Sequence, residues 1–180
     1  VCDETRVSWG TAEPSRAESF LFFYMEITMA NGWTNRGKYN ALDSLFRATT
    51  LPTNYYIALT TDAPTADTNL MSDLTQIATG NGYVDGGYTL TKNDTDFDVL
   101  TETDGSDLAL IEVKNVAWTA SGGTIPASGD GARYAVLTGH HGTVANREVW
   151  AYWDLSSNRT VSDTQVLTLQ DCQLKLTEPS

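Results

Sequence analysis

The chain has 180 residues, enough for one domain with a sizeable core and too few for two comfortable ones. With 41% hydrophobic and 10% aromatic residues it is not a disordered composition. A formal net charge of −12 disfavours nucleic acid and anionic membrane surfaces as partners, and suits attraction to a basic surface on another protein. No run of about 20 apolar residues occurs, so no membrane span is predicted. Cys2 and Cys172 are too few and too far apart for a disulfide framework or a metal-ligand spacing; Cys172 is expected buried and reduced.

Residues 1–28 differ in texture from the rest. Their apolar run, Phe20 to Met25, is short and follows Asp3, Glu4, Glu13 and Glu18, where a secretory signal needs a basic start. Met25-Glu26 requires the codons ATG-GAR, whose purine-rich core lies two codons ahead of Met29, the position of a bacterial ribosome-binding site. The segment is therefore read as a leader, either a start-site artefact or a disordered arm. Residues 29–180 are read as a single domain.

A helix is predicted from Thr34 to Arg47, capped by Thr34 or Asn35. Tyr39, Leu42, Leu45 and Phe46 fall at three- and four-residue spacing and form one apolar stripe, expected to pack on a sheet. Pro52 ends the helical stretch, and Asn54 to Thr60 is a dense run of β-formers. Residues 62–74 read as a loop in which Leu70, Met71 and Leu74 form a helical turn that plugs the end of a sandwich. Glycines 80, 82, 86 and 87 bracket Tyr83 and Tyr88 as in a hairpin or bulged strand. Phe97, Val99 and Leu100 suggest a short strand.

Leu108 to Trp118 is the strongest strand, with a bulge near Asn115 where its alternation slips. Ala132 to Thr138 and Arg147 to Leu155 flank a hairpin connection, and 161–169 and 172–176 complete the set. Seven to nine short strands between turn signals predict a mainly β fold. The architecture expected is an antiparallel β-sandwich, immunoglobulin-like or jelly-roll, with one short N-terminal helix.

Residues able to carry chemistry are sparse. His140 and His141 are adjacent, so on a strand their side chains diverge, and they are expected as exposed loop residues. Asp94, Asp96 and Asp98 resemble the opening of a calcium loop, but the sixth and twelfth positions hold Val99 and Gly105 in place of glycine and glutamate. That leaves a solvated acidic loop or a non-standard calcium site. Asp154 beside Trp150, Tyr152 and Trp153 is a candidate acid in an aromatic cleft, weighed against an ordinary sandwich strand. Strict alternation places Trp150 and Tyr152 on one face, a candidate contact surface for a partner protein or a glycan. No catalytic, cofactor or metal site is assigned.

From Met29 onward the chain resembles a broad group of small structural proteins of tailed bacteriophages. The resemblance is carried by Asn35-Arg36-Gly37-Lys38 at the head of the helix, Leu51-Pro52-Thr53-Asn54-Tyr55-Tyr56-Ile57-Ala58-Leu59, and Ser72-Asp73-Leu74-Thr75-Gln76-Ile77. Val116-Ala117-Trp118-Thr119-Ala120, Gly131-Ala132-Arg133-Tyr134-Ala135-Val136-Leu137 and Ala151-Tyr152-Trp153-Asp154-Leu155 extend it. These are packing and turn motifs, silent on chemistry. The resemblance implies a non-enzymatic virion protein, a capsid decoration or minor tail protein. Its partners would be other virion proteins, and a homo-oligomer is one form it could take. A carbohydrate- or receptor-binding module of the adsorption apparatus is the alternative.

Overall fold

The computed structural model describes residues 31–177. The leader 1–28, with Cys2, and the proposed start at Met29 lie outside the described residues. The fold is a mainly β, sandwich-like arrangement of antiparallel sheets with one α-helix. Ten strands occur among the described residues: β1 (Asn31–Trp33), β2 (Asn54–Thr60), β3 (Tyr88–Thr91), β4 (Val99–Thr103), β5 (Leu108–Val113), β6 (Val116–Thr119), β7 (Ala132–Gly139), β8 (Val149–Arg159), β9 (Val166–Leu169) and β10 (Cys172–Thr177). The helix, α1, spans Asn35–Arg47.

The largest sheet has the order β1-β8-β7-β2-β3, a second has β10-β5-β4, and β6 pairs with β9. The inward rows of the large sheet follow from its registers. Ile57 faces Leu137, which faces Ala151, and Leu59, Ala135 and Trp153 form the next row. These join Val113, Val116, Trp118, Leu169, Cys172 and Leu174 from the other strands in one buried core. The outward face of the same sheet carries Ala58, Val136 and Val149, covered by Met71 from the 3-10 turn Met71–Asp73. That turn therefore caps the outer face of the sheet, where the sequence suggests a plug at the end of the sandwich.

The stretch 108–118 is not one bulged strand. β5 ends at Val113, and after two residues the chain resumes as β6 in a different sheet. Long-range pairing makes the break: β5 lies between β4 and β10, whereas β6 takes β9. Tyr83 sits in a tight turn closed by reciprocal Gly80–Tyr83 backbone bonds, and its hydroxyl accepts from the Leu59 amide. Gly87, at φ +77°, lies so close to β2 that a Cβ would stand 2.7 Å from Ala58 Cα.

Candidate functional site

The α1 N-terminus is built into the large sheet. Thr34 is fully buried; its hydroxyl accepts from the Gly37 amide at 2.9 Å and donates to the Val149 carbonyl at 2.5 Å. Its amide donates to the Trp150 carbonyl at 3.0 Å. One turn on, Gly37 lies against the Trp150 backbone so tightly that a Cβ would stand 2.8 Å from its carbonyl carbon. Asn40 and Arg36 both reach Glu148, at 2.6 and 3.2 Å. The face that packs is thus the small and polar one, running through Gly37, Asn40, Ala41 and Ser44.

The apolar stripe points the other way. Tyr39 and Leu42 are more than half exposed, Leu45 is 75% exposed and Phe46 80%. The expectation that this stripe packs on a sheet is wrong for a steric reason. At about 100° per residue Gly37, Ala41 and Ser44 lie opposite Tyr39, Leu42 and Phe46. Only the glycine side can approach the Trp150 backbone.

Trp150 and Tyr152 do not share a face. Between Leu137, paired with Ala151, and Thr138, paired with Val149, the β8 strand has one extra residue, Trp150. This β-bulge reverses the alternation. Trp150 turns into the core beside Ala151 and Trp153, is 6% exposed, and meets Tyr55 edge-on at 5.3 Å between ring centroids. Tyr152 goes outward, half-buried against Met71, Val136 and Val149. The open Trp150–Tyr152 contact face expected from strict alternation is corrected accordingly.

Trp150 instead walls a cleft of about 430 Å³ lined by residues of the two larger sheets. The large sheet contributes Trp33, Tyr55, Leu137 and Trp150; the opposing wall is Phe97 with Leu100, Ile111 and Leu174. Lys92, Asn93 and Asp94 stand at its edge. Burial pushes the Tyr55 phenol up to about 12, so it stays a neutral donor in ordinary buffers. Leu100, Ile111 and Leu174 form one cross-strand row, and the next row, Glu102, Ala109 and Leu176, continues the same surface into solvent. Leu100 is 76% exposed and Leu176 62%. The walls come from distant points of the chain, so no local sequence signal marks the cleft.

The other candidates have structural partners. Asp96 is buried, accepts from the Thr91 amide at 2.6 Å and pairs with Lys114 at 2.6 Å. The Lys114 hydrogen bond holds its carboxyl below the usual range. Asp94 and Asp98 are exposed, and among the described residues no three His, Cys, Asp or Glu side chains converge to hold a metal ion. Asp154 pairs with Arg133 at 3.0 Å and accepts from the Ser156 amide. His140 bonds and stacks with Tyr56, while His141 engages Thr143, so the two rings diverge. Cys172 is buried, and desolvation drives its thiol pKa well upward, away from a reactive thiolate. Among the described residues no helix is long and apolar enough to cross a membrane. Comparison of the chain with protein-family models, curated proteins and solved structures gives no match.

Proposed function

We propose that the protein is a non-enzymatic structural component of a tailed-phage virion, seated on the capsid surface or in the tail, and that α1 is its contact with neighbouring proteins. The observation that carries the reading is the outward stripe of Tyr39, Leu42, Leu45 and Phe46. Their exposed parts sum to roughly 500 Å², the scale of the largest apolar patch on a typical monomer, where such patches often mark an interaction site. The helix that bears them is clamped to the sheet at Thr34, Gly37 and Asn40, so the surface is rigid and needs little ordering on contact. Phage membership itself draws on the sequence resemblance over 29–177.

The carbohydrate-binding alternative loses its original support, because Trp150 is not an open platform for a sugar ring. The remaining aromatic cleft is mostly apolar; besides Lys92, Asn93 and Asp94 its lining residues carry only the phenol of Tyr55 and the indole Nε1 of Trp33 and Trp150 as side-chain polar groups. It suits apolar side chains better than a hydroxyl-rich ligand, whose polar groups it would strand. Silence across an array of bacterial polysaccharides is expected.

Immunogold electron microscopy of purified particles, with an antibody against residues 29–180, tests the main reading. Label on the capsid or the tail is the expected result. Absence of the protein from both intact and disrupted particles overturns it.

A further inference from the structure

We infer that the occupant of the cleft is the α1 helix of a second copy of this chain. The inference rests on reading α1 as an assembly surface and names its partner. Among the described residues two exposed apolar surfaces stand out, and they differ in shape and charge. One is convex: the α1 stripe, ending in Leu45 and Phe46. The other is concave: the cleft, with Leu100 and Leu176 leading away from it. A cavity of about 150 Å³ lined by aliphatic and aromatic groups takes up benzene. The present cleft, about 430 Å³, has room for the Phe46 ring with neighbouring leucine side chains.

Charge sets the pairing. Arg36 is held by Glu148 on the packed face, so the exposed side of the helix carries Lys38 and Arg47 against one acid, Asp43, which lies 4.0 Å from Arg47. It is a cationic element in a chain of net charge −12. The cleft edge and the strand leading from it carry Asp94 and Glu102 against one cation, Lys92. Lys175, the one cation in the strands of the three-stranded sheet, is opposite Leu110 and so on the other face. Two helices meeting stripe to stripe would bring cations together. Helix into cleft pairs opposite signs around an apolar centre, which is the arrangement of a helix-in-groove contact.

Each such contact would remove on the order of 1,000 Å² from water, the lower bound for a specific interface, and a reciprocal pair within a closed dimer would remove about twice that. Polar edges and apolar centre together predict an association that weakens as salt rises without vanishing.

Sedimentation equilibrium of the full 180-residue chain tests this. The wild-type chain is expected to self-associate with concentration. Phe46→Glu, at a position 80% exposed, and Leu100→Glu, at one 76% exposed, should each keep the wild-type circular dichroism and sediment as monomers. An equimolar mixture of the two should recover a dimer, because the first retains an intact cleft and the second an intact helix. Charge reversal of Lys38 and Arg47 to Glu should weaken association at least tenfold, and reversal of Asp94 and Glu102 to Lys in the same chain should restore it. Leu100→Glu associating like wild type, or failure of the mixture to pair, overturns the inference. A wild-type chain monomeric throughout the accessible concentration range also overturns it, and leaves the assembly reading to be decided by the particle labelling alone.

Discussion

Gly37→Ala separates the packing of α1 from its intrinsic propensity. In an exposed helix interior, glycine to alanine stabilises by about 1 kcal/mol. Here the added Cβ would stand 2.8 Å from both the carbonyl carbon and the Cα of Trp150, and closer still to its oxygen. Ordinary carbon–carbon contact is about 3.5–4.0 Å, so the helix must retreat by roughly 1 Å. Retreat stretches the Thr34 amide bond to Trp150, now 3.0 Å, and the Asn40 bond to Glu148, now 2.6 Å. Overpacking of this kind costs about 1–3 kcal/mol, occasionally more, and two weakened hydrogen bonds add about 1 kcal/mol each. Offset by the propensity gain, the net expectation is a destabilisation of about 2–4 kcal/mol. For a domain of this size that lowers Tm by roughly 4–16 °C. Urea unfolding followed by circular dichroism, with a thermal scan, measures it. An unchanged or raised Tm would refute the close approach of α1 to β8, and with it the reason the apolar stripe faces outward.

Gly87→Ala should be more severe than Gly37→Ala, because the strain of φ +77° adds to a Cβ 2.7 Å from Ala58 Cα in the middle of the sheet; soluble yield and Tm after expression report it. Asp96→Asn should remove about 1 kcal/mol at neutral pH by breaking the Lys114 pair. Because the folded carboxyl lies below its unfolded value, the Asp96 contribution is complete above about pH 4 and fades as pH falls through the folded pKa. Lys114 is raised by the same hydrogen bond, so its share persists until pH climbs past the ordinary lysine range. The wild-type advantage over Asp96→Asn, from urea melts across pH, should therefore be flat in mid-range and shrink at both ends.

Much of the β architecture was legible because it rests on local chemistry. The α1 boundaries follow from Thr34 as a cap and a periodic stripe, and the β7–β8 hairpin from two β-former runs about a turn-rich link. What failed needed information from the far side of a pairing. The direction of the α1 stripe depends on which helix face a neighbour can approach; Gly37, Ala41 and Ser44, spaced by four and three residues, were a signal of close approach that the larger apolar side chains outweighed. The division of 108–118 depends on β9 and β10, and the inward turn of Trp150 depends on one residue of slip against β7. The cleft has walls from seven strands and a loop, so it exists only after the sheets are assembled.

Trp150 joins the two proposed surfaces, and its removal should separate them. Its backbone supports α1, through the Thr34 amide and the contact with Gly37, while its indole forms a wall of the cleft. The bulge makes both possible: an extra residue in β8 turns the side chain inward at the point where the helix leaves the sheet. Trp150→Ala keeps the backbone bonds and deletes the wall. Loss of a buried indole costs about 3–5 kcal/mol of stability. The edge-on contact with Tyr55 goes with it, and so does much of the apolar lining that a helix would occupy. In sedimentation, the folded Trp150→Ala chain should therefore resemble Leu100→Glu: monomeric alone, yet able to donate its helix to a chain with an intact cleft. If it pairs with itself as well as wild type does, the cleft is not the seat of α1, however stable or unstable the variant proves to be.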